Sequence, residues 1–159
     1  MAEKRECWVV IRVRGESDIS GEIEETLKML NLTRNCHAIL IDDRPSYRGM
    51  LRKTRNYLTW GEISEENLER LLRKRGRLRG NRRLTDERVQ EYGYDSLSDL
   101  ATAIHQLKLE YPKLPDIKPI FRLRPPTGGF KGKVKRSYAA GGVTGYRGEA
   151  INELIKRMT

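Results

Sequence analysis

Arginines at helical spacing, with no acid among them, stand out in the stretch Arg44-Pro-Ser-Tyr-Arg-Gly-Met-Leu-Arg-Lys-Thr-Arg-Asn-Tyr57. Wound as a helix, Tyr47 to Leu58 brings Tyr47, Met50, Leu51, Thr54 and Leu58 onto one face. Arg48, Arg52 and Arg55 form a second row beside that stripe, with Lys53 next to it and Arg44 just upstream. An unneutralised guanidinium row repels itself and contributes little to folding, so it points to an anionic partner, above all phosphate. Two further stretches repeat this chemistry. Arg73-Lys74-Arg75-Gly-Arg77-Leu-Arg79-Gly-Asn-Arg82-Arg83 is basic, glycine-punctuated and free of acid, which predicts a mobile, phosphate-seeking segment. Arg124-Pro-Pro-Thr-Gly-Gly-Phe130-Lys131-Gly-Lys133-Val-Lys135-Arg136, with Tyr138 close behind, adds aromatic rings that can stack on unpaired bases.

Other chemistry is sparse. Gly128 and Gly132 are separated by three residues, and Val134 stands where a P-loop needs Ser or Thr, so no P-loop is present. Gly141-Gly-Val-Thr-Gly145-Tyr-Arg-Gly148 lacks the start of a dinucleotide-binding turn. Cys7, Cys36, His37 and His105 show no paired metal-ligand spacing. Asp42-Asp43 is the one candidate metal site, of the kind that serves phosphodiester chemistry, although turn or cap duty is commoner for such a pair. No cofactor is expected.

The totals agree with an anionic partner. The 159 residues carry a net charge of +10, which favours nucleic acid over an anionic membrane. A hydrophobic fraction of 37% supports a folded core. No apolar run is long enough to span a bilayer, and the two cysteines make no disulfide framework, which fits a reducing cytoplasm.

The elements that must carry these residues follow from periodicity. Cys7 to Arg14 alternates as a strand, with Cys7, Val9, Ile11 and Val13 on one face and Trp8, Val10, Arg12 and Arg14 on the other. Ser20 caps a helix with Glu22, Glu24 and Glu25 in its first turns and Ile23, Leu27 and Leu30 inward. Ala38–Ile41 is a short strand, followed by the basic helix and a third strand at Leu58–Glu62. Cys36 is expected in a strand as well. The fold class is α+β: a β-α-β-α-β core over residues 1–63, with a three-stranded sheet and two helices on one face. Residues 64–159 form a helical, loop-rich extension bearing the basic loops. In it Ser64 caps a helix that ends near Gly76, and Thr85–Glu91 is short and helical. Ser96-Leu-Ser-Asp99 is a capping box for a stripe running to Leu107. The prolines at 112, 115 and 119 mark an extended connector, Ile120–Leu123 is a short strand, and Glu149–Met158 is a closing helix.

The β-α-β-α-β start, Asp42-Asp43-Arg44-Pro45 and Arg48-Gly-Met-Leu51 resemble the ribosomal protein L-thirty family of the large subunit. The bacterial form of that family is similar to residues 1 to about 63 alone. The archaeal-type long form is similar to the whole chain, including Arg124-Pro-Pro-Thr-Gly-Gly-Phe-Lys-Gly132 and the closing helix. The resemblance implies a ferredoxin-like antiparallel sheet of strand order 3-1-2. It further implies a structural, non-enzymatic place on 23S-type large-subunit rRNA, among neighbouring ribosomal proteins, with 5S rRNA as a further candidate contact. The alternative from the residues alone is an RNA-processing or RNA-modifying enzyme subunit using Asp42 and Asp43 as metal ligands.

Overall fold

The computed structural model describes residues 6–15 and 19–159. Its centre is β1 (Cys7–Arg12), in which every residue is buried. The period of two splits that strand between two cores. Cys7, Val9 and Ile11 enter one apolar cluster, and Trp8 and Val10 enter the other. β2 (His37–Asp42) and β3 (Leu58–Glu62) pair antiparallel on either side of β1, with Val9 opposite both Leu40 and Gly61. Between these strands lie α1 (Gly21–Met29) and α2 (Pro45–Thr54). Both helices cover the Trp8–Val10 face, through Leu27, Leu30 and Leu51. The β-α-β-α-β core is therefore as the sequence indicates, and the order of these three strands is the one the family resemblance implies.

The sheet has five strands rather than three. β4 (Phe121–Arg122) pairs antiparallel with β2, and β5 (Gly145–Tyr146) pairs parallel with β3. Both added strands come from the extension. The outer edges of β2 and β3 present unpaired backbone groups, and these short segments satisfy part of them. The extension also covers the second face of the sheet. α3 (Glu65–Arg75), α5 (Leu97–His105) and α6 (Ile151–Met158) bury Leu68, Leu71, Leu100, Ile104, Leu154 and Ile155 against Val9 and Leu40. α4 (Asp86–Glu91) contributes Val89. The extension thus shares a core with one face of β1 and β2, and the sheet lies between two helical layers.

Local chemistry sets the helix ends. Ser20, Ser64, Thr85 and Ser96 each accept a hydrogen bond from a backbone N–H in the first turn of the helix that follows. Pro45 opens α2 at a position whose N–H would go unused. α2 stops at Thr54, four residues short of Leu58. Leu58 must be extended to pair with Arg12, and the turn before it closes through Tyr57 N–H donating to Thr54 O at 3.0 Å. Leu58 still reaches the α2 cluster, but from β3. α5 ends at His105 before Leu107, whose backbone is left-handed. Cys36 sits just ahead of β2 rather than within a strand, with φ 65°. The proline connector contains a 3-10 turn at Tyr111–Lys113, and Tyr111 stacks on Phe121 at 5.1 Å inside the core.

The segment 73–83 is pinned rather than free. Positive φ at Gly80 and Asn81 makes a tight turn, closed by Leu78 N–H donating to Arg82 O at 2.7 Å. Leu78 is buried, Arg79 N–H donates to Asp116 O, and Lys118 N–H donates to Arg77 O. The glycine that looks like a mobility signal is here the residue that permits the turn.

Three expected outcomes test this packing. Leu51→Ala should cost about 2–5 kcal/mol, since Leu51 is 1% exposed at the α2–sheet junction; denaturant unfolding reads it. A Cβ at Gly61 would lie 2.0 Å from Gly148 O, so Gly61→Ala should destabilise by roughly 1–3 kcal/mol. Gly49, in α2 with nothing near its Cβ position, should instead gain about 0.5–1 kcal/mol on replacement by Ala. The extension is also tied to α2 by Glu110, which accepts from Lys113 and Arg44 and whose carboxyl is held below its ordinary range mainly by those two bonds. A carboxylate with a lowered folded pKa stabilises above its unfolded value, about 4.3, and that contribution is lost as pH falls through the folded value. The difference in melting temperature between wild type and Glu110→Gln should be constant from neutral pH to about pH 5 and shrink below about pH 4.

Candidate nucleic-acid interface

The basic row of α2 is sorted by its neighbours. Arg44 precedes the helix and grips Asp42 with two bonds of 2.8 Å, Nε to Oδ1 and Nη2 to Oδ2. It also donates to Glu110 and lies 4.9 Å from the centre of the Tyr47 ring. Arg48 donates to Asp43 at 3.1 Å. Lys53 pairs with Glu22 at 2.7 Å. Arg52 and Arg55 are exposed, with no ion pair among the described residues. The expectation of a wholly unneutralised row therefore holds only for the later turns of the helix. The correction comes from Asp42 and Asp43, which close β2 and meet the first arginines that follow. Asp42 also accepts the Arg44 N–H at 3.1 Å. Their oxygens are engaged in salt bridges and turn duty, and among the described residues no three His, Cys, Asp or Glu side chains form a metal-holding group.

The other two basic stretches divide in the same way. Arg73 pairs with Glu69 and Asp86, and Arg82 with Asp116. Arg75 donates to Arg122 O and Thr159 O, and Arg77 donates to Lys74 O and Gly76 O. Lys74, Arg79 and Arg83 are exposed without a carboxylate partner among the described residues. So are Arg124, Lys131, Lys133, Lys135 and Arg136 in the loop after β4. Phe130 is not the free stacking ring that the sequence suggests. It is half-buried and packs with Val134 on the core, where an apolar ring in a polar loop gains most from burial. Tyr138 is 40% exposed, with Arg147 stacked 4.8 Å from its ring centre.

Two groups of residues escape the sequence reading. The first is a cationic patch on the β2–β4 edge, formed by Arg34, His37, Lys118 and Arg122. His37 is held below its ordinary pKa by burial first, and then by Arg122, Arg34 and Lys118. Arg75 is lowered by burial and then by Arg124 and Arg77, so positive charge also gathers uncompensated nearby. These residues are scattered in sequence, and only the pairing of β4 with β2 assembles them.

The second group is aromatic. The β3–β5 pairing sets Trp60 opposite Tyr146, and Trp8 lies 6.1 Å from Tyr146 by ring centres. With Arg48 and Arg52 of α2, Arg55 just after it, and Ser137, Ala139, Thr144 and Gly145, they line a cleft of about 650 Å³. Arg48 reaches over the Trp8 ring at 5.8 Å. A Trp within the third strand, Trp60, is the one sequence signal that could have drawn attention here.

Comparison with known proteins agrees with this architecture. The family described as ribosomal protein L30p/L7e matches residues 8–58, which run from β1 to the start of β3. The large ribosomal subunit protein uL30 of Thermofilum pendens is 47% identical over 152 residues, covering 95% of this chain and 97% of that protein. The uL30 protein of Methanopyrus kandleri is 47% identical over 92% of this chain and 99% of its own length. That of Archaeoglobus fulgidus is 48% identical over 95% and 99%. The similarity thus runs through core and extension alike, and the chain belongs to the ribosomal protein L30p/L7e family, in its long form.

Proposed function

We propose that this chain is a structural constituent of the large ribosomal subunit. It binds and stabilises large-subunit rRNA, and so serves cytoplasmic translation and subunit assembly. The observation that carries this reading is the near full-length similarity to proteins named for that subunit. The exposed, unpaired cations on α2, on the turn after α3 and on the loop after β4 support it. They present positive charge without neutralising carboxylates, as a phosphate backbone requires. Such contacts position a protein, while RNA shape and unpaired bases provide selectivity. The 23S-type rRNA is the proposed main partner, with 5S rRNA and neighbouring large-subunit proteins as further contacts.

The reading as an RNA-processing or RNA-modifying enzyme loses its basis in the donor set. Asp42 and Asp43 are salt-bridged to Arg44 and Arg48 rather than converging on an open site.

Sedimentation of a lysate through a magnesium-containing sucrose gradient tests the proposal. Stoichiometric co-migration with large subunits that survives high salt is expected; a signal confined to the light fractions would overturn it. For the isolated protein, about eight phosphate contacts should give a slope of log affinity on log salt of roughly −6 to −7. Arg52→Glu with Arg55→Glu should change stability by less than about 0.5 kcal/mol, because neither side chain has a partner to lose. The same pair should weaken rRNA binding strongly and flatten the salt slope by about 1.5. A large loss of stability with unchanged binding would mean that the helix faces are assigned wrongly.

A further inference from the structure

We propose that the cleft between α2 and β5 captures a single unpaired nucleobase of the RNA, held against Trp60 and Tyr146 with its phosphate on Arg52 and Arg55. The inference rests on the rRNA-binding reading and gives it a particular site.

Three observations carry it. First, the walls are aromatic and come from separate elements: Trp8 from β1, Trp60 from β3 and Tyr146 from β5. Tyr146 is 51% exposed, Trp60 is partly buried against the α2-side core, and Trp8 is 9% exposed behind them. A large ring left open against two partly or wholly buried ones is costly to hydrate and well suited to stacking on a base. Second, the cleft is polarised. Arg52 on α2 and Arg55 just after it lie exposed without carboxylate partners among the described residues. Beside the Tyr146 ring stands a carboxylate, since Tyr146 Oη–H donates to Glu62. A phosphate is therefore favoured at the α2 end and disfavoured at the Tyr146 end, where a neutral base fits. Third, the volume of about 650 Å³ is in the range of small-molecule sites, roughly 300–1,000 Å³. A duplex is too broad and too uniformly charged for such a cleft, whereas a base splayed from a loop or bulge presents one π face and one phosphate.

The test uses the whole chain and two single-stranded RNA probes of equal length and charge: oligoadenylate and an abasic ribose-phosphate strand. The protein's two tryptophans are Trp8 and Trp60, so intrinsic fluorescence reports on the cleft directly. Oligoadenylate should quench that emission and bind about 5- to 150-fold tighter than the abasic strand. Tyr146→Ala should reduce the preference while leaving abasic affinity and melting temperature nearly unchanged. Tyr146→Phe, which keeps the ring and loses only the bond to Glu62, should retain it. Equal binding of both probes without quenching would overturn the base-capture proposal and leave the phosphate-binding reading intact. Failure of both probes to bind would overturn both. Full preference in Tyr146→Ala would place the stacked base elsewhere and also overturn the proposal.

Discussion

A central strand whose side chains are all buried needs a layer of structure on each face of its sheet. β1 imposes that constraint here. Cys7, Val9 and Ile11 point one way and Trp8 and Val10 the other, so two separate apolar clusters are obligatory. α1 and α2 can cover only one of them. The extension supplies the other, and its length follows from the need to lay α3, α5 and α6 across that face. The same strand also places Arg12 inside the protein. Its guanidinium is satisfied by the carbonyls of Leu32 at 2.8 Å, Arg14 at 2.9 Å and Gly15 at 3.3 Å. That joins the end of β1 to the chain leaving α1 and gives loop carbonyls there a charged donor.

The second organising effect is electrostatic sorting. The chain carries many more cations than anions, yet the structure does not leave all of them free. Arg44 and Arg48 are matched by the acids that end β2, and Arg73 and Arg82 by Glu69, Asp86 and Asp116. These matched arginines orient segments: the start of α2, the turn after α3 and the contact with Glu110. Unmatched ones lie on the exposed turns of α2, at the end of α3, on two loops and on the β2–β4 edge, where water keeps them hydrated at little cost until a polyanion replaces it. Exposed pairs of this type contribute only about 0–1 kcal/mol each to stability, so the matching matters more for where free charge remains than for holding the fold.

Much of this architecture was legible in the sequence, because it rests on local rules. Period-two alternation located β1, and serine caps located α1, α3 and α5. The inward stripe of α6, Ile151, Leu154, Ile155 and Met158, is buried as its spacing indicates. What escaped is non-local. The end of α2 depends on the strand pairing of Leu58 with Arg12, which no helical periodicity encodes. The turn at Gly80–Asn81 reads as mobility until Leu78 and Asp116 are seen to hold it. Phe130 has the composition of a stacking ring and the burial of a packing one. The cationic edge at His37 and the aromatic cleft are each assembled by two-residue strands, too short to announce themselves by pattern.

The cleft shows how core and extension depend on each other for function as well as for packing. One wall is α2 and β3, and the other is Ser137, Ala139 and Thr144 to Tyr146, which lie more than seventy positions later in the chain. Thr59 fastens them together: its buried hydroxyl donates to Gly145 O and accepts from Arg147 Nε, both at 2.8 Å. Arg147 Nη2 then donates to Val143 O at 2.8 Å, and the Arg147 guanidinium stacks on Tyr138. Gly142 is equally constrained, since a Cβ there would lie 2.2 Å from Arg136 O. Arg147 is thus drawn partly off the surface to support a wall, and burial lowers its pKa accordingly. Because β5 exists only as a partner of β3, Tyr146 faces Trp60 only once the extension has docked. The core alone can present the arginines of α2, but both parts are needed to set an aromatic surface beside them.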